Sequence, residues 1–239
     1  MPKSQKWILI ACPSQSIVTH MSVEDPGSGR FEWLSPLLSK VVAPLPHDRR
    51  ARRIIQLLGG LVLYGVSDSL LVIARLGLDP WDVLNQGLQR HTGLPIGTWA
   101  ILVGVVILAL WIPLRQRPGV GTLANVMLIG STMDLVLSLA PPAHGADRWV
   151  IMFLGVALNA IATGLYIGGM LGPGPRDGLM LGISARGHSI RVVRTSIEAT
   201  VLLTGWLLGG QVGFGTLTYA IAIGPLVHVL IPFLKVKST

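Results

Sequence analysis

Six stretches of the chain are apolar over about the length that a helix needs to cross a bilayer. They lie at residues 54–75, 96–113, 121–140, 149–170, 194–210 and 213–234. A spanning helix needs about 20 apolar residues, and barrel strands would alternate polar with apolar positions instead of running continuously apolar. The fifth stretch fits least well, since Arg194 and Glu198 lie at its start. The pattern predicts an all-α polytopic membrane protein with about six transmembrane helices.

One short motif occurs twice, once after the first apolar stretch and once after the fourth. Residues 76–87 match residues 171–182 at an offset of 95, sharing Leu-Gly and then Pro-x-Asp. Residues 119–123 match residues 213–217 at an offset of 94 through Gly-x-Gly-Thr-Leu. Shared motifs in the same order and spacing indicate a tandem duplication. We predict a poorly ordered cytoplasmic tail over 1–53, then membrane repeats of three spans each over 54–141 and 148–235.

Three spans per repeat is an odd number, so the second repeat must insert upside down relative to the first. The distribution of basic residues agrees with this 3+3 inverted arrangement. With a cytoplasmic N-terminus, only Arg75, Arg90 and Arg148 flank the outer side. Twelve basic residues flank the cytoplasmic side: Arg49, Arg50, Arg52, Arg53, Arg115, Arg117, Arg176, Arg186, Arg191, Arg194, Lys235 and Lys237. Because basic residues concentrate on cytoplasmic loops, we predict a multi-pass protein of the bacterial inner membrane with both termini cytoplasmic.

Each Pro-x-Asp motif predicts a short helix of its own. Pro80 and Pro175 suit a first helical position, where a missing N–H costs nothing. Asp79 or Gly174 would be the N-cap, which places Asp82 and Asp177 in the first turn, near the positive helix end. A helix of about 12 residues is roughly 18 Å long and does not cross a core of about 30 Å. We predict interfacial or half-inserted helices.

Composition narrows the function classes. Only 13% of the 239 residues are charged, against about 25% in soluble domains. The net charge of +8 is explained by basic membrane flanks, so nucleic acid is not an expected partner. The lone Cys12 provides neither a disulfide framework nor a thiol metal cluster. The chain contains no zinc-ligand spacing and no nucleophile motif, so we expect no cofactor, no metal and no enzyme activity.

Ionisable residues inside apolar stretches are the candidate functional residues, because a charge in mid-membrane costs about 2.5–3.5 kcal/mol. One hypothesis is a proton or ion pathway through Asp68, Asp134 and His228. The structural alternative is that Asp134 faces the outer interface and Asp68 bonds to nearby Ser or Asn. Asp82 and Asp177 either bind protons or a cationic group, or only stabilise their own helices. The candidate substrate- or ion-binding residues are Asp68, Asp82, Asp177, Asp134, His228, Asn159 and Tyr64.

The chain resembles the YczE/YyaS/YitT family of bacterial integral membrane proteins. The resemblance covers about residues 54–235 and depends on residues 76–87 with Gly93, residues 117–123 and residues 171–179. It is closest to the YczE branch, which implies that the soluble C-terminal domain of YitT-type members is missing here. The resemblance implies topology and location, and no catalytic or ligand residues follow from it.

The sequence favours a transporter or permease of an unidentified small solute, with its site between the two repeats. Inverted repeats with paired interrupted helices are typical of transporters, although architecture alone is an analogy. The alternative is a membrane accessory or scaffold protein for a membrane-associated complex, docking through its basic cytoplasmic face. The expected partners are the lipid bilayer and an unknown small molecule or ion, and a homo-oligomer is compatible with the sequence.

Overall fold

A computed structural model describes residues 49–236, and this part of the chain contains eight α-helices and no strand. The predicted tail over 1–53 lies outside the described residues apart from its last five positions. The helices are α1 (Arg50–Ala74), α2 (Pro80–Thr92), α3 (Ile96–Leu114), α4 (Val120–Leu139), α5 (Asp147–Gly168), α6 (Pro175–Ser184), α7 (Ile190–Leu207) and α8 (Phe214–Leu234). All of the predicted spans are helices, with ends within a few residues of those expected.

Five of these helices are long and apolar enough to cross a membrane: α1, α3, α4, α5 and α8. This confirms the all-α polytopic class, and the sixth predicted span, α7, is not among these five helices. Helix α7 has 18 residues, yet Arg191, Arg194 and Glu198 all fall in its first half. Arg194 and Glu198 form an ion pair one turn apart, at 2.9 Å. A membrane crossing by α7 therefore stays a prediction.

The two Pro-x-Asp helices form where the sequence predicted them. Helix α2 begins at Pro80, and the Asp79 carboxylate caps it by accepting the N–H of Asp82 at 2.7 Å. It ends at Gly93, which has φ 78°, a left-handed conformation that glycine adopts without strain. Helix α6 begins at Pro175 after the extended Gly174. With 13 and 10 residues, the helices are roughly 20 and 15 Å long, too short to span.

The long helices pack in a chain of neighbours around α1 and α5. Helix α1 lies against α4 and α5, and α5 also contacts α8. The short helices pack on the remaining pair, α2 against α7 and α6 against α3. Glycines allow the closest approaches: Gly205 of α7 meets the backbone of α2 at Val83 and Leu84, and Gly178 of α6 lies on the Trp111 ring of α3. These contacts place both short helices among longer ones.

Helix α1 begins at Arg50, four residues earlier than predicted, because Arg53 and Gln56 have buried partners. Arg53 is 2% exposed and donates a hydrogen bond to the Gly169 carbonyl at 3.2 Å. Gln56 donates to the carbonyls of Leu165 (3.0 Å) and Leu234 (2.7 Å). Carbonyl groups at helix C-termini lack partners within their own helix. The start of α1 therefore supplies donors to the ends of α5 and α8.

The contact of Gly178 with Trp111 leads to the first prediction. A Cβ at position 178 would overlap the Trp111 ring, which is buried and held by a hydrogen bond from its Nε1 to the Pro175 carbonyl at 3.1 Å. We expect Gly178→Ala to destabilise the protein by about 1–3 kcal/mol through overpacking. Thermal unfolding of the detergent-purified protein measures the change. The control is Gly59→Ala, where a Cβ meets no atom within 4 Å; equal melting of both variants would contradict the prediction.

Candidate functional site

Asp68 lies in the C-terminal half of α1 and is 1% exposed. Its Oδ1 accepts a hydrogen bond from Asn159 Nδ2 of α5 at 2.7 Å. Asn159 Nδ2 also donates to Ser67 Oγ at 3.0 Å, and its Oδ1 accepts from the Tyr219 hydroxyl of α8 at 3.1 Å. The expected bond between Asp68 and a nearby Asn is present. Three helices therefore combine to hold one carboxylate inside the protein.

Two more carboxylates come from the start of α2. Asp79, the N-cap, and Asp82, in the first turn, are each 1% exposed. Asp82 Oδ1 accepts a hydrogen bond from Asn85 Nδ2 at 3.0 Å, one turn further along the same helix. The positive end of the helix and the exposed N–H groups of its first turn favour acidic side chains here. The sequence Asp79-Pro80-Trp81-Asp82 thus places two acidic side chains at the start of α2, and we call this segment the acidic corner.

Asp68, Asp79 and Asp82 converge. One oxygen of each carboxylate can be chosen so that all three lie within 4.8 Å of one another. We call these three residues the carboxylate cluster. Burial raises the pKa of Asp82 to about 7; the Asp79 carboxylate adds to the increase, while Arg176 and the bond from Asn85 oppose it. Like charges this close in a low-dielectric interior repel one another.

Arg176 is the counter-charge to the cluster, and it comes from α6. Its Nη1 lies 3.6 Å from Asp79 Oδ2, and its guanidinium lies 5.0 Å from the centre of the Trp81 ring, a cation–π contact. Burial by itself lowers the pKa of Arg176. Asp79 and other nearby acidic groups raise it by more, so the pKa lies above its ordinary value. The side chain is 24% exposed. The side chain turns toward the buried carboxylates, whereas its assignment to a cytoplasmic flank stays a prediction.

A small cavity adjoins Arg176. Its volume is about 70 Å³, room for several water molecules. The Tyr166 hydroxyl donates a 2.6 Å hydrogen bond to Asp177 Oδ2, and the Tyr64 ring packs edge-on against Tyr166 at 6.0 Å. The polar side chains lining the cavity are Tyr64, Asn125, Tyr166, Arg176 and Asp177. Asp177 thus belongs to the cavity, whereas Asp82, its counterpart in the sequence, belongs to the carboxylate cluster.

The structure does not bring Asp134 and His228 into the carboxylate cluster. Both oxygens of Asp134 cap α3, accepting from Gly97 N–H at 2.6 Å and from Thr98 Oγ1 at 2.8 Å. His228 is exposed on α8. Because the Asp134 carboxylate is fully occupied by a helix N-terminus, a capping role explains it, and the structural alternative is favoured over the pathway through Asp68, Asp134 and His228.

Sequence reasoning missed three contributors to the site. Asp79 was treated only as a cap and Arg176 only as a loop charge, and Asn85 was not considered. A signal was present in the comparison of the two motifs. Asp79 corresponds to Gly174, and Trp81 corresponds to Arg176 at the offset of 95. At these positions the two similar motifs carry different side chains, and those side chains contact one another in the structure.

The apolar helices and the charged cluster enclosed among them define a multi-pass membrane protein. Residues 51–232 match the family DUF6198, described as a family of unknown function, and the chain belongs to it. An uncharacterised protein of Haemophilus influenzae is 42% identical over 174 residues, covering 72% of this chain and 80% of the relative.

Two Bacillus subtilis proteins are also similar, which confirms the resemblance to the YczE and YyaS proteins. The uncharacterised membrane protein YczE is 35% identical over 177 residues, covering 72% of this chain and 82% of YczE. The uncharacterised protein YyaS is 27% identical over 182 residues, covering 74% and 90% respectively. No solved structure matches the chain.

The contact between Arg176 and Asp79 leads to the second prediction. Removing one partner of a buried ion pair leaves a charge uncompensated and costs about 3–5 kcal/mol. We expect Arg176→Ala to lower the melting temperature strongly, and Asp79→Asn added to Arg176→Ala to restore part of the loss.

The matched control is Arg194→Ala, since its pair with Glu198 has side chains 52% and 33% exposed. Exposed pairs one helical turn apart contribute about 0.3–0.5 kcal/mol. Additive losses in the Arg176 and Asp79 double mutant, or equal losses for Arg176 and Arg194, would show that the buried pair is not coupled.

Proposed function

We propose that this protein is a transporter of a small polar solute in the bacterial inner membrane, built as a 3+3 inverted repeat. One observation carries the proposal. Arg176 at the start of α6 reaches Asp79 and Trp81 at the start of α2. Buried charge and a polar cavity therefore lie where the two interrupted segments meet. Transporters with inverted repeats bind substrate at discontinuous helices of this kind.

Equivalent contacts in the two halves support the repeat. The N–H of Gly121 donates to the Leu171 carbonyl at 2.9 Å, and the N–H of Gly215 donates to the Leu76 carbonyl at 2.7 Å. By the offsets of 94 and 95, these two hydrogen bonds are the same contact made in opposite directions. We call them the crossed hydrogen bonds.

The short helices also pack between the two halves. Helix α2 of the first half packs on α7 of the second, and α6 of the second half packs on α3 of the first. Each short helix thus packs against the next helix of its own half, α3 for α2 and α7 for α6, and also against a helix of the other half. Rocking of one half against the other would move both short helices relative to the cavity, as alternating access requires.

The cavity supports a polar solute over an apolar one. Its polar lining includes the cation Arg176, the anion Asp177, two tyrosine hydroxyls and the Asn125 amide. Gly174 and Pro175, at the start of α6, also line it, and a helix N-terminus favours a negatively charged group. A small solute carrying both a carboxylate and a hydrogen-bond donor fits this set of groups.

Orientation provides the third prediction. Both termini are cytoplasmic only if α7 crosses the membrane together with the five apolar helices. Positions 91 and 185 are exposed and lie at the C-terminal ends of α2 and α6. In a Cys12→Ser background, we expect an impermeant thiol reagent added to intact cells to label His91→Cys and to spare Ala185→Cys.

Permeabilised cells are the control, since both cysteines should then react. Labelling of position 185 in intact cells would contradict the inverted arrangement. Labelling of neither position in intact cells, but of both after permeabilisation, would place α2 and α6 on the same side and would also contradict it.

Solute movement is the fourth prediction. Proteoliposomes containing the wild-type protein should take up at least one member of a panel of radiolabelled amino acids and small hydroxy acids faster than empty liposomes. Because the carboxylate cluster and the cavity are the proposed site, Asp68→Asn and Asp82→Asn should abolish that uptake without loss of folded protein. Gel filtration checks folding, and Asp147→Asn, at an exposed position, is the control. Normal uptake by both site variants would exclude this site.

A further inference from the structure

The carboxylate cluster has more acceptor oxygens than the protein supplies donors for. Within residues 49–236, four buried side-chain oxygens have no hydrogen-bond partner: Asp68 Oδ2, Asp79 Oδ2, Asp82 Oδ2 and Asn85 Oδ1. These residues are at most 1% exposed, so bulk water does not satisfy the four oxygens. Buried polar atoms are nearly always paired. Four unpaired oxygens around one cluster indicate that a ligand belongs there.

The ionised cluster favours a positively charged ligand. Three carboxylates carry three negative charges and Arg176 one positive charge, which leaves two negative charges when all are ionised. An uncompensated charge in a low-dielectric interior is costly. A ligand with two positive charges balances the cluster, whereas one with a single positive charge leaves it negative.

The acceptors distinguish a metal cation from protons. Asn85 Oδ1 is a neutral amide oxygen, which does not take up a proton at any ordinary pH. One proton held on a carboxylate satisfies that oxygen and the one oxygen that accepts it, which leaves two of the four unpaired. One metal cation can be shared by several such oxygens at once.

The donor set identifies the class of metal. Carboxylate and amide oxygens with no sulfur or imidazole among them are the ligands of hard divalent cations such as Ca²⁺, Mg²⁺ and Mn²⁺. Ligand oxygens around such ions lie about 2.0–2.6 Å from the metal. Opposite ligands are therefore about 4–5 Å apart. One oxygen of each carboxylate in the cluster lies within 4.8 Å of the other two, which agrees with this spacing.

We propose that Asp68, Asp79, Asp82 and Asn85 form a binding site for a hard divalent cation. The site is preorganised, because Asp79 Oδ1, Asp82 Oδ1 and Asp68 Oδ1 are each held by a hydrogen bond from Asp82 N–H, Asn85 and Asn159 respectively. The second oxygen of each carboxylate is left for the metal. The sequence contains no zinc-type spacing that indicates this site, because its ligands come from two helices and bind through oxygen only.

The cation and Arg176 compete for one oxygen. Asp79 Oδ2 lies 3.6 Å from Arg176 Nη1, and it is also a proposed metal ligand. Binding of a divalent cation to Asp79 weakens the ion pair between Asp79 and Arg176, and Arg176 also lines the adjoining cavity. This coupling of cation to solute rests on the proposed function, whereas the cation site itself does not.

The experiment measures binding to the full-length, detergent-purified protein after removal of metals with EDTA. CaCl₂, MgCl₂ and MnCl₂ are titrated by calorimetry and thermal unfolding, with NaCl and KCl at matched ionic strength. We expect at least one divalent cation to bind saturably near one per chain and to raise the melting temperature by several degrees. Absence of a shift, or an equal shift with NaCl, would overturn the proposal.

Four variants test the ligands. Asp82→Asn and Asn85→Leu should raise the Kd at least tenfold, and Asn85→Asp should restore or tighten binding, because a carboxylate is a better ligand than an amide. Asp147→Asn, exposed at the start of α5, should bind as the wild type does. If Asp82→Asn fails to fold, the pair at position 85 decides, since a purely structural Asn would not be replaced by Asp with tighter metal binding.

Transport and cation binding are separated by these measurements. Binding is measured in detergent without a gradient, so a protein that binds the cation but moves no solute retains the site and loses the proposed function. Uptake without any divalent binding would retain the function and exclude the site.

Discussion

The burial of negative charge among apolar helices is the constraint on which the rest of the structure depends. Asp68, Asp79 and Asp82 lie within a few ångströms of one another in the interior, where each ionised carboxylate is costly. The protein offsets that cost in three ways: amide donors from Asn85 and Asn159, the positive end of α2, and the guanidinium of Arg176. These groups belong to α2, α5 and α6, and α1 carries Asp68, so all four helices must be placed before the charges are tolerable.

Glycine makes this placement possible. Helices without a hydrophobic driving force between them associate through close packing at small residues. Gly60 lies against Leu165 and Tyr166 of α5, Gly205 lies on the backbone of α2, and Gly178 lies on Trp111. Larger side chains at these positions would separate the helices that carry the carboxylates from those that carry their partners. The polar interior therefore depends on close helix contacts formed at glycines.

The sequence predicted the helices and their starts well because those features are local. Pro80 and Asp79 determine the beginning of α2 through fixed φ and a capping carboxylate, and both act within one turn. The inward turn of Arg176 is not local. The same side chain at the same position suits a cytoplasmic flank or a buried pair, and the choice depends on Asp79, which is 97 residues earlier in the chain. Asp134 illustrates the reverse, since the N-terminus that it caps is 37 residues away and was not identifiable from its own neighbours.

The crossed hydrogen bonds also determine when the protein can be completed during synthesis. The Leu76 carbonyl, next to the acidic corner of α2, receives its bond from Gly215, near the start of the last helix. The ribosome adds about 5–20 residues per second, so roughly 7 to 28 seconds separate the synthesis of the two partners. The turn before α2 is therefore made early and stays without this hydrogen bond until nearly the whole chain has been synthesised. For this protein, the last helix comes after α2, α5 and α6 have supplied the groups that offset the buried charges, and its arrival completes the crossed hydrogen bonds.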